Sequence, residues 1–162
     1  MHWTSALESA IQISIAICSF SGIVAAVGRR ATGRWTSAEQ FLLRQLLTAS
    51  GATLLFAYFP FVLLDAIPEP TCWRIVSGLL AIWRITIIVR SFRQMAAIAD
   101  FKARPAVGTV PGLVIALALV ANVGLALPWL YVVGVLWGLI VAFGSFVSLL
   151  LDTWKSPDEP DA

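Results

Sequence analysis

The apolar residues of this chain fall in long blocks, and about 20 mainly apolar residues is the length at which a helix crosses a bilayer. Such blocks cover 6–28, 41–64 and 73–90, and a final one runs from Ala106 to Leu151. As one straight helix that last block would reach roughly 65–70 Å, about twice the hydrocarbon thickness. It must therefore fold back, between Asn122 and Trp129. Gly124 suits a left-handed helix end, and Pro128 suits the first turn of a following helix, where its missing amide hydrogen is not needed. The division predicts spans over 106–127 and 129–151.

Composition agrees with this reading. Of 162 residues, 59% are hydrophobic and 12% charged, against roughly 45–50% and 25% in a soluble domain. A chain this short cannot hide so much apolar surface in one water-soluble core. The expected fold is all-α, a polytopic membrane helical bundle of five transmembrane helices forming one domain over 1–151. The tail 152–162, ending KSPDEPDA, is expected to be short, acidic, disordered and cytoplasmic. A net charge of +2 without a basic, aromatic-interleaved stripe argues against a nucleic-acid partner.

Lys and Arg set the orientation, because short cytoplasmic loops retain positive charge. Arg29, Arg30 and Arg34 follow the first span, Arg90, Arg93, Lys102 and Arg104 the third, and Lys155 the fifth, while the opposite side holds only Arg74. This places the N-terminus outside and the C-terminus inside. Residues 1–5 lack the positive charge of a secretory signal, so the first span is expected to be retained. Trp3, Trp73 and Trp129 mark the outer boundary and Trp35 and Trp154 the inner one, as in aromatic belts. Trp83 and Trp137 lie deeper, where packing is expected. The segment FRQMAAIADFKARP either extends the third span or lies along the cytoplasmic headgroups.

Chemistry is sparse. His2 is the sole histidine, so the usual zinc and haem ligand sets are missing. Cys18 and Cys72 differ in predicted depth by about half a bilayer, which opposes a disulfide. Lys102 and Lys155 lie outside the apolar blocks, and no nucleophile elbow, P-loop, HExxH or dinucleotide fingerprint occurs. No metal, cofactor or enzymatic activity is expected.

Attention falls on polar residues inside the spans. In the first, Ala6, Ala10, Ser14, Cys18, Gly22 and Ala26 form a small-residue stripe suited to close helix contact, within the protomer or between copies. Ser5, Glu8, Gln12, Ala16 and Ser19 form a separate small-and-polar column. Glu8 reads either as an interfacial acid beside Arg74 or, with Gln12, as the outer mouth of a hydrated path. Arg84 lies about 9 Å above Arg90 along its helix. An arginine at a helix centre costs roughly 2.5–3.5 kcal/mol on insertion scales, so its face, with Ser77 and Ser91, should point inward. Hydroxyls of Ser19, Thr48 and Ser145 align with it in depth and no acid does, so Arg84 reads either as bonded to backbone carbonyls, a lipid phosphate or a carboxylate of another copy, or as a site for an anionic or polar solute. Arg44 is expected to snorkel to lipid phosphate. Pro60 frees a carbonyl near Phe56 and kinks the second span. Asn122 either bonds across helices or caps the fourth span, with the cap preferred.

FSGIVAAVGRRATGRW, LLRQLL and FAYFPFVLL, over residues 19–64, resemble the opening half of small multi-pass bacterial inner-membrane proteins of unknown function. That resemblance implies a multi-pass inner-membrane location and brings no site residues. A first-span glutamate is also a feature of small multidrug exporters, from which this chain departs in its fifth span, its boundary acid and its central arginine. The leading expectation is a small oligomeric channel or carrier, with Glu8, Gln12, Ser19, Ser77 and Arg84 along a route for a small anionic or polar solute. The alternative is a non-transporting accessory or scaffold subunit of a larger membrane complex. A lipid-directed enzyme using Glu8 ranks last.

Overall fold

A computed structural model describes residues 3–32, 37–97 and 109–153. They form α1 (Trp3–Thr32), α2 (Ser37–Leu64), α3 (Glu69–Ala97), α4 (Thr109–Leu125) and α5 (Pro128–Thr153). Apolar stretches of membrane-crossing length lie in α1, α2, α3 and α5, and α4 carries a shorter one, Val110–Leu125. The protein is thus a helical bundle built for a membrane. Helix α3 continues past the predicted end at Arg90, so the start of FRQMAAIADFKARP extends it. Arg34, Trp35, Lys102, Arg104 and residues 154–162 lie outside the described residues, as do the side chains of Ala26 and Ser91.

Consecutive helices pack as neighbours, and α5 closes the ring by reaching α1 while also lying against α2, α3 and α4. Its residues explain that central position. Gly134 and Gly138 stand four apart, so one face of α5 has almost no side-chain thickness and its backbone can approach other helices. A Cβ on Gly134 would come within 2.9 Å of Leu119 Cδ2, and one on Gly138 would collide with Thr53 Oγ1.

The α4–α5 turn replaces one expectation. The left-handed residue is Ala126 (φ 55°), while Gly124 stays inside α4. The Ala126 amide donates to the Asn122 carbonyl at 2.8 Å, which is the simple left-handed helix ending. The Asn122 side chain completes the turn. Its Oδ1 accepts from the Leu127 amide at 2.8 Å, and its Nδ2 donates to the Leu127 carbonyl at 3.0 Å and to Ser77 Oγ at 2.8 Å. Asn122 therefore caps α4 and bonds across to α3 together. Strain at Ala126, of order 1–2 kcal/mol for a non-glycine residue, is carried by this clamp.

Pro60 behaves as its chemistry dictates. It removes the amide that would bond the Phe56 carbonyl, and the Tyr131 hydroxyl of α5 donates to that carbonyl at 2.5 Å. Both side chains are buried. Trp73 is also buried, 1% exposed, so it packs inside the bundle. Its indole donates to Glu69 Oε1 at 3.2 Å and its ring packs edge-on against Trp3, with centroids 4.7 Å apart. Trp3, Phe61, Trp73 and Tyr131 fill the end of the bundle predicted to face outward. Trp129, by contrast, is exposed.

A basic cavity as candidate functional site

The small-residue stripe of α1 turns into the protomer. Ala10 and Ser14 are buried, and Cys18 Sγ donates to Ser50 Oγ of α2 at 3.1 Å. Ser14 and Ser50 return their hydroxyls to the carbonyls of Ala10 and Leu46, so both are satisfied within their own helices. Gly22 is exposed, and nothing lies within 4 Å of the position its Cβ would occupy. Both cysteines are free thiols.

Beneath the aromatic seal, α2, α3 and α5 part around a cavity of about 250 Å³. Apolar walls come from Phe56, Leu80, Trp83 and Val135 at its deep end. Arg84 projects into the same space, with Thr48 and Gln45 farther along α2. Arg44 and Arg90 line the end predicted to be cytoplasmic, and both are exposed, so the cavity meets the surface there. Among the described residues, no aspartate or glutamate contributes to the lining. Three permanent cations thus share one cavity without an acid.

Helix packing fixes the guanidinium of Arg84. Its Nη2 donates to the Gly134 carbonyl at 2.8 Å, and its Nε is buried with no hydrogen-bond partner. A Cβ on Gly138 would lie 2.9 Å from the same Nη2, so Gly138 is needed to admit this side chain, while Gly134 supplies the carbonyl it bonds. The carbonyl bond supplies a dipole and no countercharge. A buried donor left unbonded costs about 1–3 kcal/mol, which makes this the least satisfied polar group in the described bundle.

The other pathway candidates do not gather there. Glu8, Gln12 and Ser19 are exposed on the outward face of α1, and Ser19 returns its hydroxyl to the Ile15 carbonyl at 2.9 Å. The physical reason is that the small-residue stripe claims the inward face, leaving the polar column on the opposite side. Ser77 is buried and serves the Asn122 clamp. Of the hydroxyls aligned with Arg84, only that of Thr48 lines the cavity. Sequence reasoning missed Arg44 and Arg90 as site residues and overlooked Gly134 and Gly138. The available signals were the i, i+4 pair Arg44 and Thr48, and the GVLWG segment of α5.

No family model, curated protein or solved structure matches this chain.

Proposed function

We propose that the protein is a five-span membrane protein, N-terminus outside and C-terminus inside, that binds a small anionic or polar solute in this cavity as a carrier. The observation carrying the reading is the convergence of Arg44, Arg84 and Arg90 on one cavity with no carboxylate among the described residues of its lining. Guanidinium groups present fixed donor forks to oxyanions. Access at one end and an aromatic seal at the other favour a carrier over a channel, because a channel needs a continuous route. The proposed location is a cell membrane, the inner one in a bacterium, and the loop charges support the orientation within it. Liposomes holding the pure protein are expected to take up a small anion. Arg84→Leu should reduce that uptake by about tenfold or more, the loss of one charge-assisted bond. Uptake unchanged by that substitution removes the cavity from the mechanism.

The reading includes a homo-oligomer. Glu8 and Gln12 are exposed on α1, where lipid offers no hydrogen bond. A second copy related by a two-fold axis along the bilayer normal sets Gln12 opposite Gln12. An amide carries both donor and acceptor, so the pair is self-complementary.

A further inference from the structure

This inference rests on the anion-carrier reading and names the anion. Three features of the cavity restrict what fills it. Its cations are all arginines, and a guanidinium fork matches the several oxygens of a tetrahedral or planar oxyanion better than it matches a spherical halide. They are spread over roughly 9 Å of α3, the rise from Arg90 to Arg84, with Arg44 joining from α2. A singly charged ligand compensates one of them, whereas a doubly charged group engages the deep arginine and the mouth together. Arg84 also gives Nη2 to the Gly134 carbonyl, a bond that supplies no countercharge, so its charge is left for an anion.

Volume and wall chemistry supply the rest. A cavity of about 250 Å³ holds far more than one water, which needs about 10–15 Å³. A bare oxyanion leaves much of it unfilled. The remaining wall is aromatic and aliphatic, with Trp83 and Phe56 in tilted contact, centroids 6.4 Å apart, and Leu80 also in the lining. Apolar surface of this kind is filled by an organic body, as in ligand pockets generally.

We infer that the cavity binds a phosphate monoester, its dianionic phosphoryl group among Arg44, Arg84 and Arg90 and its organic part against Trp83, Phe56 and Leu80. Two sources carry this chemistry: a soluble ester entering from the cytoplasm, and a lipid phosphate monoester from the inner leaflet.

The test uses the full-length protein in phosphatidylcholine nanodiscs, titrated by calorimetry with phenyl phosphate, inorganic phosphate and benzoate. Phenyl phosphate is expected to bind about tenfold tighter than either of the others, the margin of one charge-assisted contact or one buried ring face. Arg84→Gln should weaken phenyl phosphate by a similar factor. Arg84→Lys, which keeps the charge and loses the fork, should restore only part of it. Trp83→Leu should weaken phenyl phosphate and leave inorganic phosphate unchanged. Doping the nanodiscs with phosphatidic acid separates the sources: a raised apparent Kd for phenyl phosphate assigns the site to lipid, and an unchanged one assigns it to the soluble ester. Benzoate binding as tightly as phenyl phosphate overturns the dianion, and inorganic phosphate binding as tightly overturns the organic body. In both cases the anion-carrier reading stands. Absence of binding by all three anions removes that reading as well.

Discussion

Gly138→Ala tests how α5 makes room for the basic cavity. The added Cβ would overlap Thr53 Oγ1, lie 3.4 Å from Thr53 Cβ and lie 2.9 Å from Arg84 Nη2. Thr53 is 4% exposed and its hydroxyl donates to the Ala49 carbonyl at 2.7 Å, so it has little freedom to retreat. Arg84 is flexible at its far end, but moving it gives up the Gly134 bond. Overpacking of this kind costs about 1–3 kcal/mol, and alanine returns about 0.5–1 kcal/mol of helix propensity. Gly144→Ala isolates the overlap, because nothing lies within 4 Å of a Cβ there and the propensity gain is shared. Thermal unfolding in mild detergent should place Gly138→Ala below Gly144→Ala by about 2–4 °C for each kcal/mol of overlap. Adding Thr53→Ala removes the clashing oxygen and should recover most of the difference. Equal melting temperatures for the two single variants would refute the close-approach argument, and with it the claim that α5 positions Arg84.

The proline–tyrosine pair should be non-additive. Tyr131→Phe strands the buried Phe56 carbonyl and should cost about 1–3 kcal/mol in unfolding. In a Pro60→Ala background the restored amide bonds that carbonyl, so the same substitution should cost well under half as much, and equal costs in the two backgrounds would separate the residues. On α1, Gln12→Cys is expected to cross-link between copies under mild oxidation in membranes while Ile13→Cys, also exposed, cross-links weakly; equal yields would exclude Gln12 from the axis.

The length and position of the apolar blocks made the helices legible, since the cost of unbonded backbone in hydrocarbon leaves helices as the economical solution for such blocks. Pro60 was legible to the atom, because removing one amide names the carbonyl left behind. The turn was legible as a place and not as a residue. Glycine is the ordinary left-handed helix end, yet the Asn122 clamp uses three hydrogen bonds to hold Ala126 there, and no local propensity reveals a bond to Ser77 on another helix.

The candidate site divides along the same line. Arg84 was legible because a charge deep in a span demands protein around it, wherever the neighbouring helices lie. Arg44 and Arg90 carried no such demand, since each sits within snorkelling reach of the headgroups and has an inexpensive solution alone. Only the packing of α2, α3 and α5 brings them to the same cavity as Arg84, and that packing includes Gly138, whose missing side chain lets α5 approach Thr53 of α2 and Arg84 of α3. On α1 the ambiguity was one of sign. In water a polar face points outward and an apolar one inward, but in a bilayer both surroundings are apolar, so periodicity shows that two faces differ without showing which is inside. Packing settles it through size: Ala10 and Ser14 allow backbone approach, whereas Glu8 and Gln12 hold a neighbour away. A polar column on a membrane helix therefore marks the surface that requires a partner, and here that surface is the exposed side of α1, a helix that lends no described residue to the cavity, so the proposed solute site and the proposed contact between copies fall on separate faces of the bundle.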